Sequence, residues 1–197
     1  MSEAPVRVAV IVGSVREGRF GPVVADWLAG VAGDHGGFEV DVVDLAEPEL
    51  PLALPAFGTV PSAAVMAEIA KVTPRLLAAD AFVVVTPEYN HSYPASLKNA
   101  IDWHRTEWTA KPVAFVSYGG MSGGLRAVEH LRAVFAELHA VTIRETVSFH
   151  GAHARFGPDG QPTDEAAGVA AKVMLDQLGW WARSLTEARA ARPYPGA

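Results

Sequence analysis

The chain of 197 residues contains no cysteine. That absence excludes a disulfide framework, a cysteine nucleophile and a thiolate metal site. No apolar run reaches the roughly 20 residues of a membrane-spanning helix. Basic residues are few and scattered: Lys and Arg number 16 against 22 Asp and Glu, for a net charge of −6. No basic stripe forms, so no nucleic-acid partner is expected. The segment Met1-Ser2-Glu3-Ala4-Pro5 carries a carboxylate and no basic n-region, so it does not read as a signal peptide. A soluble, cytoplasmic protein without a membrane partner is the expectation. Charged residues make up only 19% of the chain, below the usual quarter or so. That suits an α/β domain whose sheet is covered on both faces.

What is present is apolar. Half the residues are hydrophobic, enough to bury a sizeable core. The chain reads as one domain over residues 1–197, with 192–197 as a flexible tail. Val6-Arg7-Val8-Ala9-Val10-Ile11-Val12 reads as a buried first strand. The segment 38–45 alternates apolar and polar residues, as a half-exposed edge strand does. Val83-Val84-Val85-Thr86-Pro87, Pro112-Val113-Ala114-Phe115-Val116-Ser117 and the segment 141–149 supply three more strands. Helical segments alternate with them, at about 22–32, 62–71, 73–79, 95–103 and 125–138, with a long one to about residue 189. Gly33-Asp34-His35-Gly36-Gly37 reads as a helix break. Residues 46–61 hold four prolines and a glycine and read as a loop. Loops this long in compact domains are usually functional or face a partner.

Five strands alternating with helices make a doubly wound parallel sheet with helices on both faces. The flavodoxin-like order 2-1-3-4-5 places the switch point between strands one and three. Ligands in such sheets sit outside the carboxyl ends of the strands. Three loops lie there. The first, Gly13-Ser14-Val15-Arg16-Glu17-Gly18-Arg19-Phe20-Gly21, runs into a helix whose first turn holds Pro22. Outward N–H groups and the helix dipole make it an anion cradle, with Ser14, Arg16 and Arg19 as further donors. It matches neither G-x-x-x-x-G-K-[ST] nor G-x-G-x-x-G. The second, Pro87-Glu88-Tyr89-Asn90-His91-Ser92-Tyr93, offers aromatic faces, a carboxylate, an amide and a hydroxyl to a flat, polar-edged ring. The third, Tyr118-Gly119-Gly120-Met121-Ser122-Gly123-Gly124, is a second glycine-rich turn into a helix. A planar ring with a phosphate tail fits the first two, which the switch point makes neighbours.

These motifs resemble the NADPH-dependent FMN reductase family, the flavodoxin-like group of chromate, azo and quinone reductases. The carrying residues are Gly13-Ser14-Val15-Arg16, the run from Thr86-Pro87-Glu88-Tyr89-Asn90 through Leu97-Lys98-Asn99-Ala100-Ile101-Asp102-Trp103, and Ser117-Tyr118-Gly119-Gly120. The resemblance spans about residues 6–147. It implies that Ser14 and Arg16, with the backbone near Phe20 and Gly21, hold the FMN phosphate. It implies that Pro87, Glu88, Tyr89 and Asn90 line the ring system, and that Ser117, Tyr118, Gly119 and Gly120 meet its pyrimidine side. The family's serine and asparagine late in the first loop are replaced by Arg19, Phe20 and Gly21. Arg19 is left either to replace the missing hydroxyl contact or to face solvent. The resemblance further implies an FMN-dependent reductase taking electrons from NADPH or NADH to a small oxidant, such as a quinone, azo compound, metal ion or free flavin. It implies a homodimer or homotetramer with the flavin near the subunit interface.

Flavin chemistry needs no acid–base dyad from the protein, and none is found, so no side chain is assigned a catalytic role. A flavodoxin-type electron carrier and a flavin-binding redox sensor are the alternatives. A phosphatase on a similar sheet would need the missing loop cysteine. Tyr93 and Trp103 either border the substrate face or pack between subunits. His91 and His104 read as solvated, as do Arg126 and Arg132. His150 and His153 lack a third ligand at regular spacing, so no metal is expected. Trp180 and Trp181 read as packing or interface residues.

Overall fold

A computed structural model of the chain describes residues 4–195. Met1, Ser2 and Glu3 of the leader reading, and Gly196 and Ala197 of the tail, lie outside the described residues. Five strands, β1 (Val6–Val12), β2 (Phe38–Asp44), β3 (Ala81–Pro87), β4 (Pro112–Gly119) and β5 (Val141–His150), form one parallel sheet in the order β2-β1-β3-β4-β5. The helices are α1 (Gly21–His35), α2 (Ala63–Ile69), α3 (Thr73–Ala78), α4 (Ala95–Trp103), α5 (Leu125–Glu137) and α6 (Ala166–Ala191). This is the doubly wound arrangement read from the sequence.

Side-chain alternation assigns each strand residue to one of two cores. Val8, Val10 and Val12 of β1, Val83 and Val85 of β3, and Val116 of β4 point to one face. There they meet Val24, Trp27 and Leu28 of α1 and Met174 and Leu178 of α6. Ala9 and Ile11, Phe82 and Val84, and Val113 and Phe115 point to the other. There they meet Leu76 of α3, Leu97 and Ile101 of α4, and Leu131 and Phe135 of α5. Every residue of β3 is buried, as its central place requires.

Three sequence expectations are corrected here. The helix break read over residues 33–37 falls at its far end: α1 runs through Gly33, Asp34 and His35 and closes at Gly36, with φ 75°. A helical glycine costs only about 1 kcal/mol, and the buried face of α1 offsets that. His104 is not solvated but fully buried. Its Nδ1 lies 2.8 Å from the Ala100 carbonyl and its Nε2 3.1 Å from the Thr73 hydroxyl, joining the end of α4 to the start of α3. Arg132 is not solvated either. The β4–β5 register shifts between Val113 and Phe115, and Arg132 donates to the Ile143 and Arg144 carbonyls of that irregular stretch at 2.7 and 3.1 Å. Its guanidinium also lies over the Phe115 ring.

Residues 46–61 contain no helix or strand. They are tied to α4 by Asn99 and Trp103, which donate to the Leu50 and Pro51 carbonyls at 3.0 and 2.8 Å. After α6 the chain turns back, and the Tyr194 hydroxyl comes within 3.3 Å of His139 Nδ1. Trp181 packs against the α1–α6 core, whereas Trp180 is largely exposed.

Candidate functional site

At the carboxyl ends of β1, β3 and β4 the three loops converge on one cleft of about 540 Å³. That volume lies within the range of small-molecule sites. Its walls are residues 14 and 16–20 of the first loop, 87–89 of the second and 118–120 of the third. The fourth wall, residues 151–154 after β5, was missed in the sequence. Its available signal was Gly151, one more glycine just past a strand end.

The first loop is held from outside so that its amides stay free. Ser96 donates to the Gly13 carbonyl at 2.8 Å, and the Ser14 hydroxyl sits 2.8 Å from that of Tyr89. Of the amides of residues 13–20, only those of Gly13 and Arg19 donate to a backbone carbonyl among the described residues. The rest stand at the start of α1, where the helix dipole favours an anion. Arg19 does neither of the two things expected of it. It lines the cleft, but its guanidinium forms a two-pronged pair with Asp44 and donates to the Ser14 carbonyl. The hydrogen bonds to Asp44, working against burial, raise Arg19 above its ordinary value. Burial alone would raise the Asp44 carboxyl, but hydrogen bonds from Arg19 and the Ala46 N–H hold it below the ordinary range. Arg16, by contrast, makes no ion pair or side-chain hydrogen bond among the described residues. It is the uncommitted cation of this wall.

The second loop turns sharply. Tyr89 and Ser92 exchange backbone hydrogen bonds at 2.8 and 3.1 Å, and Asn90 and His91 both take positive φ, 48° and 76°. This is the primed tight-turn geometry, which asparagine tolerates well and histidine less so. The turn sets Asn90 beyond the cleft lining, while Pro87 and Tyr89 remain on it. Glu88 lines the cleft with its backbone and turns its carboxylate the other way. It accepts from the Ser122 hydroxyl at 2.6 Å, the Arg126 N–H at 3.2 Å and the Arg126 guanidinium at 2.8 Å. Arg126, read as solvated, is therefore a partner of Glu88, although part of its side chain stays exposed.

The third loop explains its glycines by close approach. Gly124 has φ 86°, and a Cβ there would lie 2.7 Å from that of Ser117. Ser117 is fully buried and donates to the Gly123 carbonyl, so it braces the loop from below the cleft. Gly21 also lies below the lining: a Cβ on it would meet Val12 at 2.9 Å and the Tyr118 hydroxyl at 3.0 Å. At Gly120, in contrast, a Cβ would meet nothing within 4 Å. The fourth wall is joined to the third loop by the Gly151 N–H, which donates to the Gly120 carbonyl at 2.9 Å. His153 packs 4.9 Å from the Phe20 ring, and His150 Nδ1 lies 2.9 Å from the Met121 carbonyl. Among the described residues no three potential metal ligands cluster.

These features fit a phosphorylated planar ring. A free arginine and unpaired amides await an anion at one end. Open space over Gly120 awaits a flat body at the other. Tyr118 lines the cleft, but its hydroxyl is buried beside Gly21 and Ser14, and burial raises its pKa, so it stays a neutral phenol. Tyr93 and Trp103 stand outside the lining. Tyr93 packs against the core beneath α4, and Trp103 holds the 46–61 loop.

Comparison with known proteins agrees with this geometry. Residues 6–154 match the family described as NADPH-dependent FMN reductase. An NAD(P)H-dependent FMN reductase of Schizosaccharomyces pombe is 38% identical over 122 residues, 60% of either chain and so under two thirds of that relative's length. An NAD(P)H:quinone oxidoreductase of Solanum tuberosum is 34% identical over 84% of this chain and 87% of its own. Among solved structures, the flavoenzyme NAD(P)H:(acceptor) oxidoreductase FerB of Paracoccus denitrificans superposes with a TM-score of 0.71 at 26% identity. That match covers 91% of this chain and 98% of FerB.

Proposed function

The chain belongs to the NADPH-dependent FMN reductase family, and from that premise we propose that it is an FMN-dependent NAD(P)H oxidoreductase that reduces a small oxidant such as a quinone. One observation carries the reading: three strand-end loops meet at a single cleft that has a free Arg16, a helix start with uncommitted amides and an open wall at Gly120. Bound FMN supplies the two-electron chemistry between NAD(P)H and the oxidant, and the protein binds and orients. Arg16 and the free amides of the first loop hold the phosphate. Ser14, fixed by Tyr89, shapes that loop. Arg19 and Asp44 lock the loop to the edge of the sheet. Gly119 and Gly120 let the backbone approach the ring closely.

The same reading includes a homodimer. Leu52, Phe57 and Val60 of the 46–61 loop are 81%, 100% and 85% exposed, an apolar surface that a second copy would cover. Sedimentation of wild type against Phe57→Glu tests it: a dimer that the substitution splits supports the assignment, and a monomeric wild type refutes it. No described helix is long and apolar enough to cross a membrane, and cytoplasmic residence is part of the same proposal.

The functional test is an anaerobic visible spectrum of FMN-reconstituted protein before and after NADPH. Retained flavin colour that bleaches on addition, and returns with a quinone, is the expected result. Retained colour that neither NADPH nor NADH bleaches would replace the reductase with an electron carrier. Protein that retains no flavin and oxidises no NAD(P)H with added FMN would refute the reading.

A further inference from the structure

On the reading that the cleft takes FMN, the geometry points to Glu88 as a positioning residue that sets the redox balance of the flavin by its charge, without touching it. The residue follows the end of β3 on the cleft wall, yet its side chain is only 8% exposed and faces α5. Its backbone N–H donates to the Tyr118 carbonyl at 3.2 Å. One carboxylate oxygen accepts from the Ser122 hydroxyl and the Arg126 N–H, the other from the Arg126 guanidinium. The residue thus ties the second loop to the third and to the second residue of α5.

That placement makes Glu88 the missing cap of α5. The helix starts at Gly124, which has no side chain to accept from the first N–H groups, and no acidic residue lies in its first turn. Glu88 supplies both functions from another strand. The positive end of a helix is equivalent to about half a unit charge, and here a full negative charge opposes it. Arg126 then balances the carboxylate. The Gly119–Gly120 wall beside this triad therefore faces a net positive charge of about half a unit, held there by the balance between Glu88 and Arg126.

The consequence concerns which redox state the cleft prefers. Reduced FMN carries more negative charge than the oxidised form, so positive potential at the third loop favours it. Neutralising Glu88 leaves the α5 terminus and Arg126 uncompensated, which favours reduced flavin. Neutralising Arg126 leaves the carboxylate uncompensated, which favours oxidised flavin. The other titratable group that acts on Glu88 is His91, in the same sense as Arg126.

The test is a redox titration of FMN-loaded wild type, Glu88→Gln, Arg126→Gln, the double variant and Ser122→Ala against reference dyes, with FMN affinity measured in the oxidised state. Glu88→Gln is expected to shift the ratio of reduced to oxidised FMN affinity on the order of tenfold towards reduced flavin, the scale of one unit charge near a protein surface. Arg126→Gln should shift it the opposite way, and the double variant should return towards wild type. Ser122→Ala removes a hydrogen bond and no charge, and should leave the midpoint in place. A purely structural brace would weaken both redox states together and move no midpoint. That result, or shifts of one sign in both single variants, overturns the inference. Arg126 is 42% exposed, so its variant carries the test should Glu88→Gln fail to fold. Wild-type protein that binds no FMN overturns the cofactor reading itself, a failure visible before any variant is made.

Discussion

Gly120 offers the sharpest separation between folding and binding. A Cβ built on it meets no heavy atom within 4 Å, and its φ lies outside the left-handed region. The free chain should therefore accept Gly120→Leu with a stability change within about 0.5 kcal/mol, the usual scale for an uninvolved surface site. The cleft should not accept it. Gly120 lines the roughly 540 Å³ that the proposal gives to FMN, so on that proposal a leucine there competes for the space. Overpacking a fitted space costs about 1–3 kcal/mol, or roughly five- to hundredfold in Kd. Thermal unfolding of the flavin-free protein reads the first quantity, and quenching of flavin fluorescence on titration reads the second. An unchanged midpoint with FMN affinity weakened at least fivefold is the expected pair. Affinity within twofold of wild type, in a normally folded variant, would remove Gly120 from the flavin site and refute the placement of the third loop.

Gly124→Ala should behave in the opposite way: with φ 86° and Ser117 at 2.7 Å, it is expected to cost about 2–4 kcal/mol of stability, measured by denaturant unfolding without flavin. Arg16→Ala should weaken FMN about tenfold, the scale of one charge-assisted contact, while leaving riboflavin, which has no phosphate, unaffected. Asp44 is held below the ordinary carboxylate range, so its contribution is complete above that range and is lost as pH falls through the lowered value; acid unfolding of Asp44→Asn should lack that component. Lys111 is buried, donates to the Leu76 and Leu77 carbonyls, and titrates at about 8 instead of 10.5, chiefly through desolvation. The unfolded chain then holds more protons between those values, so stability should rise with pH across that window, and Lys111→Met should flatten the rise.

The fold was legible because its information is local and redundant. β1, β3 and β4 are apolar at successive positions, β2 alternates, and each strand feeds a glycine- or proline-marked turn into a helix. The three misread polar residues fail for one shared reason. Arg126 finds Glu88 across 38 residues of sequence. His104 finds Thr73 across 31. Arg132 answers carbonyls exposed by a register shift that no pattern of side chains announces. A solvated reading is what remains when a partner lies outside the window of inspection. The fourth cleft wall was overlooked similarly: residues 151–154 join the site through a backbone bond to Gly120 and a ring contact to Phe20, neither of which has a sequence signature.

The division between Arg16 and Arg19 shows how topology settles what composition leaves open. In the first loop they are two arginines three positions apart, equivalent as anion ligands. The order β2-β1-β3 places β2 directly beside β1, and the register pairs Val12 with Asp44. An acid at the last position of β2 must therefore stand next to the loop that leaves β1. The arginine nearer the helix start meets it, and Arg19 becomes a strut between the loop and the edge strand. Arg16, three residues earlier, makes no pair with that acid and stands on the cleft wall. One buried-edge carboxylate thus both rigidifies the anion loop and selects which arginine serves it. Replacing Asp44 should free Arg19 to compete for the phosphate, so Asp44→Asn is expected to retain FMN even as it loses stability, and Arg16→Ala in that background should cost less affinity than it does alone.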